Sequence, residues 1–560
     1  MTPQSRRRLI PFIVFVAAAS VLLVIIFGSK RAQEKEKPLT PQETSVAEGD
    51  NTEKISVGVD SQTKQDTTPK INTPNLAVNE ETTKEIAPFE VLSVLSHDEP
   101  ANPVVLGALD EIELWQLEVC FTRVGAGISS IQFSNIFETV DGKLAWNQYR
   151  KYGGTKPSID ELYLLTSEEV GHTKNRSVLG AFQININDQR IALNSAQSWE
   201  LVTKTENSVT FVATVIDAKQ NKIASINRTW TLNNQYGLHL EQSIQNLTSQ
   251  DIVVKWMQYG PPSLTVDRSR YMDRRRFRFG WELDDEYDPD QAAPIQSNDF
   301  VLEFGDVTKE NDQTIWPTSD TIEDGFKLSW FASTNRYFAL AVFPNINKYG
   351  EGDRVFTNKV EKITSNVEGS DEQQLVFTGL WSPETRIAGG GLYDVSMGVY
   401  AGPLKRSVLD NKEPYIALNM RDLVLYQMSS MCAICTFQWL ADFLAVVLTT
   451  LDHYVVFDWG LAIILLVLIV RSILHPITKK SQINMQRFGK VMQKLKPEID
   501  KLKKKYPNEP KRVQQEQMAL MQKYGVNPFQ MLGCLPMFLQ MPIWVALYAL
   551  LYFMFDIRQE

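Results

Sequence analysis

Histidine and cysteine are scarce in this chain of 560 residues, and the scarcity removes several chemistries at once. The five histidines, His97, His172, His239, His453 and His475, never fall at metal-ligand spacing, which argues against metal catalysis. The four cysteines, Cys120, Cys432, Cys435 and Cys534, are too few and too scattered for a disulfide framework. Cys432 and Cys435 form a CxxC, but in an apolar stretch without the strand–turn–helix setting of a redox site. In the long strand-patterned middle of the chain no glycine-rich phosphate loop, nucleophile–base grouping or catalytic carboxylate pair can be singled out.

Charge is also missing, locally, in three runs. Arg6, Arg7 and Arg8 precede LIPFIVFVAAASVLLVIIFG, about twenty uncharged residues, enough to cross roughly 30 Å of hydrocarbon. Its small residues, Ala17–Ser20, lie mid-run and not after it, so an uncleaved signal-anchor is favoured over a cleaved signal peptide. The second run, WGLAIILLVLIVRSILHPI, is uncharged from Trp459 to Leu474 except for Arg471. The third begins at NPFQMLGCLPMFLQMPIWVALYALLYFMF and carries no charge between Pro528 and Phe555.

Between the last two runs the charge has one sign. From Lys479 to Lys523 basic residues outnumber the acids Glu498, Asp500, Glu509 and Glu516 about three to one, although the whole chain is at −9. An apolar stripe (Met485, Phe488, Met492, Leu495, Ile499, Leu502) predicts a helix that renews at Pro497, then a PNEP turn and a second helix over Lys511–Tyr524. This basic hairpin belongs in the cytoplasm, so the Trp459 run enters and the Pro528 run leaves. Its cations, Lys494, Lys496, Lys501, Lys503, Lys504, Lys505, Lys511 and Arg512, suit anionic lipid or ribosomal RNA, or act only as a topology signal.

The rest of the chain separates by pattern. Residues 1–29 form the anchor and 30–88 a polar tether that cannot bury enough surface to order itself. Residues 89–405 alternate apolar and polar, as in SVTFVATVI (208–216) and LHLEQSIQNL (238–247), and predict a large antiparallel β-sandwich. Helical patterning is scarce there. Within it, Arg268, Arg270, Arg274, Arg275, Arg276 and Arg278 are followed at once by Glu282, Asp284, Asp285, Glu286, Asp288 and Asp290. A patch for lipid phosphates is one reading; an exposed, self-neutralising loop is the preferred one. Residues 406–456 are a linker and an amphipathic helix suited to the membrane interface, with Trp439 as anchor. Residues 457–477 and 527–556 are spans, with the hairpin over 478–526 between them. Asn527 and Pro528 make an N-cap and first-turn pair; Pro536, Pro542 and the Gln540 amide inside that span suggest a helix facing protein or water as well as lipid.

Arg471 decides the functional reading. It lies roughly 18 Å down a span of about 30 Å, where a charge costs about 2.5–3.5 kcal/mol. Either its side chain snorkels to lipid phosphates, or it makes a lipid-protected, water-filled cavity electropositive for an acidic ligand. Composition alone leaves both open.

The stretches DWGLAIILLVLIVRSILHPITKKSQINM, LKPEIDKLKKKY and GVNPFQMLGCLPMFLQMPIWVALY resemble the YidC/Oxa/Alb membrane protein insertases, Gram-negative type. Trp459, Gly460, Pro476, Asn527, Pro528, Gly533, Cys534, Pro536 and Pro542 carry the resemblance. It implies an α+β membrane protein whose large periplasmic domain is a β-supersandwich similar to sugar-binding folds, set in the bacterial inner membrane. It implies an insertase, not an enzyme, that needs no cofactor: a hydrophilic groove, with Arg471 and Gln540 in it, helps nascent membrane proteins insert, alone or with the Sec translocon. The hairpin is then the expected contact for ribosome or targeting factors. The family core has five membrane helices, of which this chain supplies two, so a truncated or split chain, or a second polypeptide supplying the rest, is expected. The competing expectations are a membrane-tethered carbohydrate-binding or envelope-scaffold protein, and an envelope enzyme acting on glycans.

Overall fold

The computed structural model describes residues 91–98, 102–167, 176–233, 235–265, 274–283, 301–309, 314–323, 326–346, 357–365, 375–427, 438–506, 510–523 and 535–558. The anchor and tether expected at 1–29 and 30–88 lie outside these residues, as do Cys432, Cys435, Cys534, Asn527, Pro528, Gly533 and the acids from Asp284 to Asp290.

Alternation of apolar and polar residues becomes strand wherever one face can be buried. In Ser208–Ile216 the odd-numbered Val209, Phe211, Ala213 and Val215 are fully buried, and the intervening residues are more exposed. This strand, β1, pairs in antiparallel register with β2 (Lys222–Leu232), where the hydroxyls of Thr210 and Thr229 meet at 3.0 Å across the ladder. The glycine-assisted turn expected in LEVCFTRVGAGISSIQF forms between the strands Leu117–Thr122 and Gly127–Phe137. Gly125 sits at φ +63°, and a Cβ there would lie 2.6 Å from the Ala181 carbonyl. Among the described residues there are three antiparallel sheets, of 11, seven and four strands, the large antiparallel β-rich domain that the alternation foretold.

One buried cation of this β domain sits among tryptophans. Arg228, on β2, is fully buried, with ring centroids of Trp199, Trp230 and Trp256 at 6.0, 5.7 and 5.9 Å. It donates to the carbonyls of Gly125 (3.0 Å) and Leu179 (2.6 Å), tying two loops to the sheet. Burial pulls its pKa down to about 9, so it stays charged at neutral pH. Arg228→Met keeps most of the volume but leaves two buried carbonyls without a donor. We expect a loss of about 1–3 kcal/mol in denaturant unfolding. Unchanged stability would mean that the guanidinium does not join these loops.

The domain also contains a helix the sequence reading passed over: α1, Val140–Tyr152. Thr139 caps it through Gly142 N–H, and its Trp146 is fully buried with the indole N–H on Ser158 O at 3.1 Å.

Four long helices follow the domain. α2 is Gln438–Leu451, continued by a π-helical turn at Asp452–Val456 and a left-handed Phe457. α3 runs unbroken from Trp459 to Lys505, with Asp458 as N-cap, and passes through both Pro476 and Pro497. The renewal expected at Pro497 is therefore not a break: each proline removes one backbone bond, and the flanking turns keep the helix. α4 is Pro510–Lys523 and α5 is Leu535–Phe553, with Pro536 in its first turn and Pro542 inside. Among the described residues two stretches, Gln438–Val456 and Trp459–Pro476, are long and apolar enough to cross a membrane.

Candidate functional site

Arg471 is exposed on α3, and its guanidinium carbon stands 5.3 Å from the ring centroid of Trp544 on α5. Trp544 lies one helical turn after Gln540, so both occupy one face of α5. The structure thus brings the arginine to the helix face that carries the predicted amide. The link itself is Trp544, which the sequence reading had not named. Its signal was available: Gln540 and Trp544 are spaced i, i+4, and an aromatic face attracts a cation by about 0.5–1 kcal/mol at an exposed position.

The surroundings are apolar and uncovered. On α3, Leu461, Ile464 and Leu468 are each more than half exposed, at i, i+3 and i+7, while Ala462 and Leu466 are buried on the opposite side. Trp439, Phe443 and Val446 make a similar exposed row on α2, and Met541, Trp544 and Tyr548 one on α5. Exposed apolar surface this continuous requires lipid or another protein against it.

At the far end of α3, Leu495 and Ile499 are buried against α4, and every cation singled out above is exposed: Lys494, Lys496, Lys501, Lys503, Lys504, Lys505, Lys511 and Arg512. Tyr506 closes the turn, with Lys505 Nζ at 5.4 Å and the Arg512 guanidinium at 4.9 Å from its ring. At the opposite end, Trp459 and Gly460 form the first turn of α3, started by the Asp458 carboxylate accepting from Leu461 N–H at 2.8 Å.

The arginine-rich segment is corrected in its second half, Arg268 and Arg270 lying outside the described residues. Arg274, Arg275, Arg276 and Arg278 are buried, and Arg276–Leu283 is a strand, β3, paired with β4 (Phe326–Thr334). The reason is visible in RFRFGW. A period of two sends Phe277, Phe279 and Trp281 into the sandwich core, where Phe277 stacks on Phe331 and Phe279 on Trp316. Arg276 and Arg278 face the other way, onto chain leaving the domain. Arg278 donates to Asp422 O (2.7 Å) and Leu423 O (3.3 Å), and Arg276 to Gln427 O (2.8 Å) and to Glu303 (3.1 Å). Burial pulls Arg278 down to about 9, Arg276 beside it acts in the same sense, and Asp422 and Glu303 oppose the shift. Arg278 remains charged at neutral pH. Gly280 is required because the Trp330 indole lies across it: a Cβ would be 1.9 Å from Nε1, which donates to Leu418 O.

More cations seat the end of α5 on the same domain. Arg336 donates to Tyr552 O (2.6 Å) and stacks on its ring at 3.6 Å. Arg558 donates to Phe137 O (2.7 Å) and lies 4.9 Å from the Tyr163 ring. Lys405 pairs with Asp556 at 2.6 Å, and Arg406 with Asp442 on α2. Phe555 packs against the sandwich core, edge-on to Phe338 of β5 (Phe338–Pro344). The β domain is therefore fastened to α2 and α5 by donors aimed at carbonyls, carboxylates and rings.

Two family models match the chain. One described as "YidC periplasmic domain" covers residues 150–438 and one described as "60Kd inner membrane protein" covers 450–560. A membrane protein insertase YidC of Syntrophobacter fumaroxidans is 26% identical over 381 residues, 65% of this chain and 58% of the relative. That of Wolinella succinogenes is 30% identical over 270 residues, 47% of this chain and 42% of the relative. That of Anaeromyxobacter sp. strain Fw109-5 is 43% identical over 124 residues, 22% of this chain and 21% of the relative. The chain spans little more than half the length of the longest-matching of these relatives. Among solved structures, a GalM/aldose epimerase homologue from C. elegans aligns with 54% of this chain and 99% of its own, at 11% identity and a TM-score of 0.32.

Proposed function

We propose, from the premise that this chain belongs to the YidC family of membrane protein insertases, that its helical part receives the polar portion of an incoming membrane segment beside Arg471. The observation that carries the proposal is the Arg471–Trp544 contact, set on the Gln540 face of α5 within otherwise apolar, uncovered helices. A cation held there attracts acidic or polar groups of the arriving chain, and lipid then takes up its apolar residues. Nothing in that sequence of events consumes a nucleotide.

The topology we propose puts the β domain in the periplasm and the α3–α4 hairpin in the cytoplasm of a bacterial inner membrane. The exposed cations of the hairpin support it, because the basic end of a span stays inside. α2 then lies across the periplasmic interface. Its first turns are tied to the β domain through Arg406–Asp442, and its last residue leads straight into the start of α3. Both ends of α2 are thus at the side where α3 begins. Its length and composition would also allow a span, but that geometry favours the interface. The hairpin is proposed to meet ribosome, targeting factors or anionic lipid, and the helical part to act alone or with the Sec translocon.

A photoreactive amino acid at Ser472, next to Arg471, tests the central claim during translation of a short inner-membrane protein. Crosslinks to the nascent chain are expected from Ser472 and not from Ile464, two turns nearer the β domain on the exposed apolar row. Equal labelling at both, or none at Ser472, would overturn the groove.

A further inference from the structure

We infer that helix α1 of the β domain rests in the headgroup layer of the membrane leaflet on the β-domain side. The inference rests on reading α5 as a span.

The docking described above fixes which face of the domain looks at the membrane. α5 ends at Phe553, and five residues later Arg558 donates to Phe137 O, with Glu138 at 3.9 Å. α1 begins at Val140, so its first turn lies within a few residues of the point where the chain leaves the bilayer. On that helix Val140 is 48% and Leu144 62% exposed among the described residues, and Tyr152 at its end is 74% exposed. At about 100° per residue, Val140 and Leu144 are roughly 40° apart, and Lys151 falls between them. The opposite side of the helix is held by Trp146, by Arg150 donating to Leu109 O (3.0 Å) and to Ser134 O, and by Gly142 against Glu161. The outward face is therefore fixed, and it carries two aliphatic side chains and a lysine, the amides of Asn147 and Gln148 beside them, and a tyrosine at the end of the helix.

That is the chemistry of a shallow interfacial contact. The aliphatic groups enter the boundary of the acyl chains, Lys151 with Lys143 at the flank meets phosphates, and tyrosine suits the headgroup level. Asp141 on the same turn limits the depth, since a carboxylate gains nothing from anionic lipid. The continuity of this face with the end of α5 is what selects lipid over a protein partner.

The test is nitroxide accessibility in nanodiscs of phosphatidylethanolamine and phosphatidylglycerol, using the full chain with single labels at Leu144, Leu392 and Tyr548. Leu392 is 62% exposed in a strand paired with the Gly237–Asn246 strand, near the end of the domain away from α5. Tyr548 is 57% exposed on α5. We expect the label at 144 to favour oxygen over a water-soluble nickel reagent by at least threefold relative to 392, with 548 more strongly lipid-exposed than either. A label at 144 as aqueous as that at 392, with 548 in lipid, would overturn the inference and leave the span intact. A label at 548 that is itself aqueous would overturn the span reading instead.

Discussion

Arg471→Ala is expected to cut insertion of a short, acidic-tailed membrane protein into vesicles by about ten- to a hundredfold, the equivalent of one charge-assisted hydrogen bond of about 1.5–3 kcal/mol. Arg471→Lys should keep part of the activity, because the charge survives but the planar fork and its stacking on Trp544 do not. The loss should be larger for substrates with an acidic translocated tail than for those whose tail is neutral, since the arginine acts through attraction. A snorkelling arginine predicts otherwise. Alanine there would remove an insertion cost from α3 and leave transport unchanged, so equal rates for the wild-type and alanine proteins would end the groove reading.

The second large effect is expected far from Arg471, at Arg276. Its side chain is 5% exposed and pairs with Glu303, itself only 19% exposed, while also donating to Gln427 O. Arg276→Met strands a largely covered carboxylate and a carbonyl together, and breaking a buried pair from one side costs about 3–5 kcal/mol, the upper bound for this one. Denaturant unfolding of the detergent-solubilised chain should show that loss. Adding Glu303→Leu should recover most of it, because the cost lies in the unpaired charge and not in the missing bond. A single variant within about 1 kcal/mol of the parent would mean that the buried pair does not hold the exit segment to the domain.

The two effects test different connections. Arg471 is one exposed cation whose worth lies in what it meets. Arg276 belongs to the fastening of the β domain to α2 and α5, where Arg278, Arg336, Arg406 and Arg558 act in parallel. Loss of any one of these leaves others in place, so the stability cost should exceed the cost to insertion.

How much was legible follows from the range of the forces involved. Ser208–Ile216 was read residue for residue, because its alternation is a local property that burial of one face converts directly into strand. The hairpin cations and the position of Arg471 were legible for the same reason: charge in an apolar run is written in the sequence itself. RFRFGW shows the limit of such reading. Its alternation was there to be seen, yet six arginines before six acids suggested a solvated loop. Desolvating those guanidinium groups is tolerable only because carbonyls of Asp422, Leu423 and Gln427, about 145 residues downstream, are waiting to accept from them. The role of Trp544 was hidden similarly, since α3 and α5 are separated in sequence by the whole hairpin.

The sequence by itself determined the apolar runs, their one arginine, the basic hairpin, the β-rich middle and, through its motifs, the family. Each rests on composition and period over a few turns or strands, where transfer energy and backbone geometry act locally. Only the tertiary structure decided that the arginine strand is buried, that Arg471 stands over Trp544, and that the β domain is fastened to the ends of α2 and α5. Those are pairings between distant segments, and a buried charge is favourable only when the fold has already placed its partners.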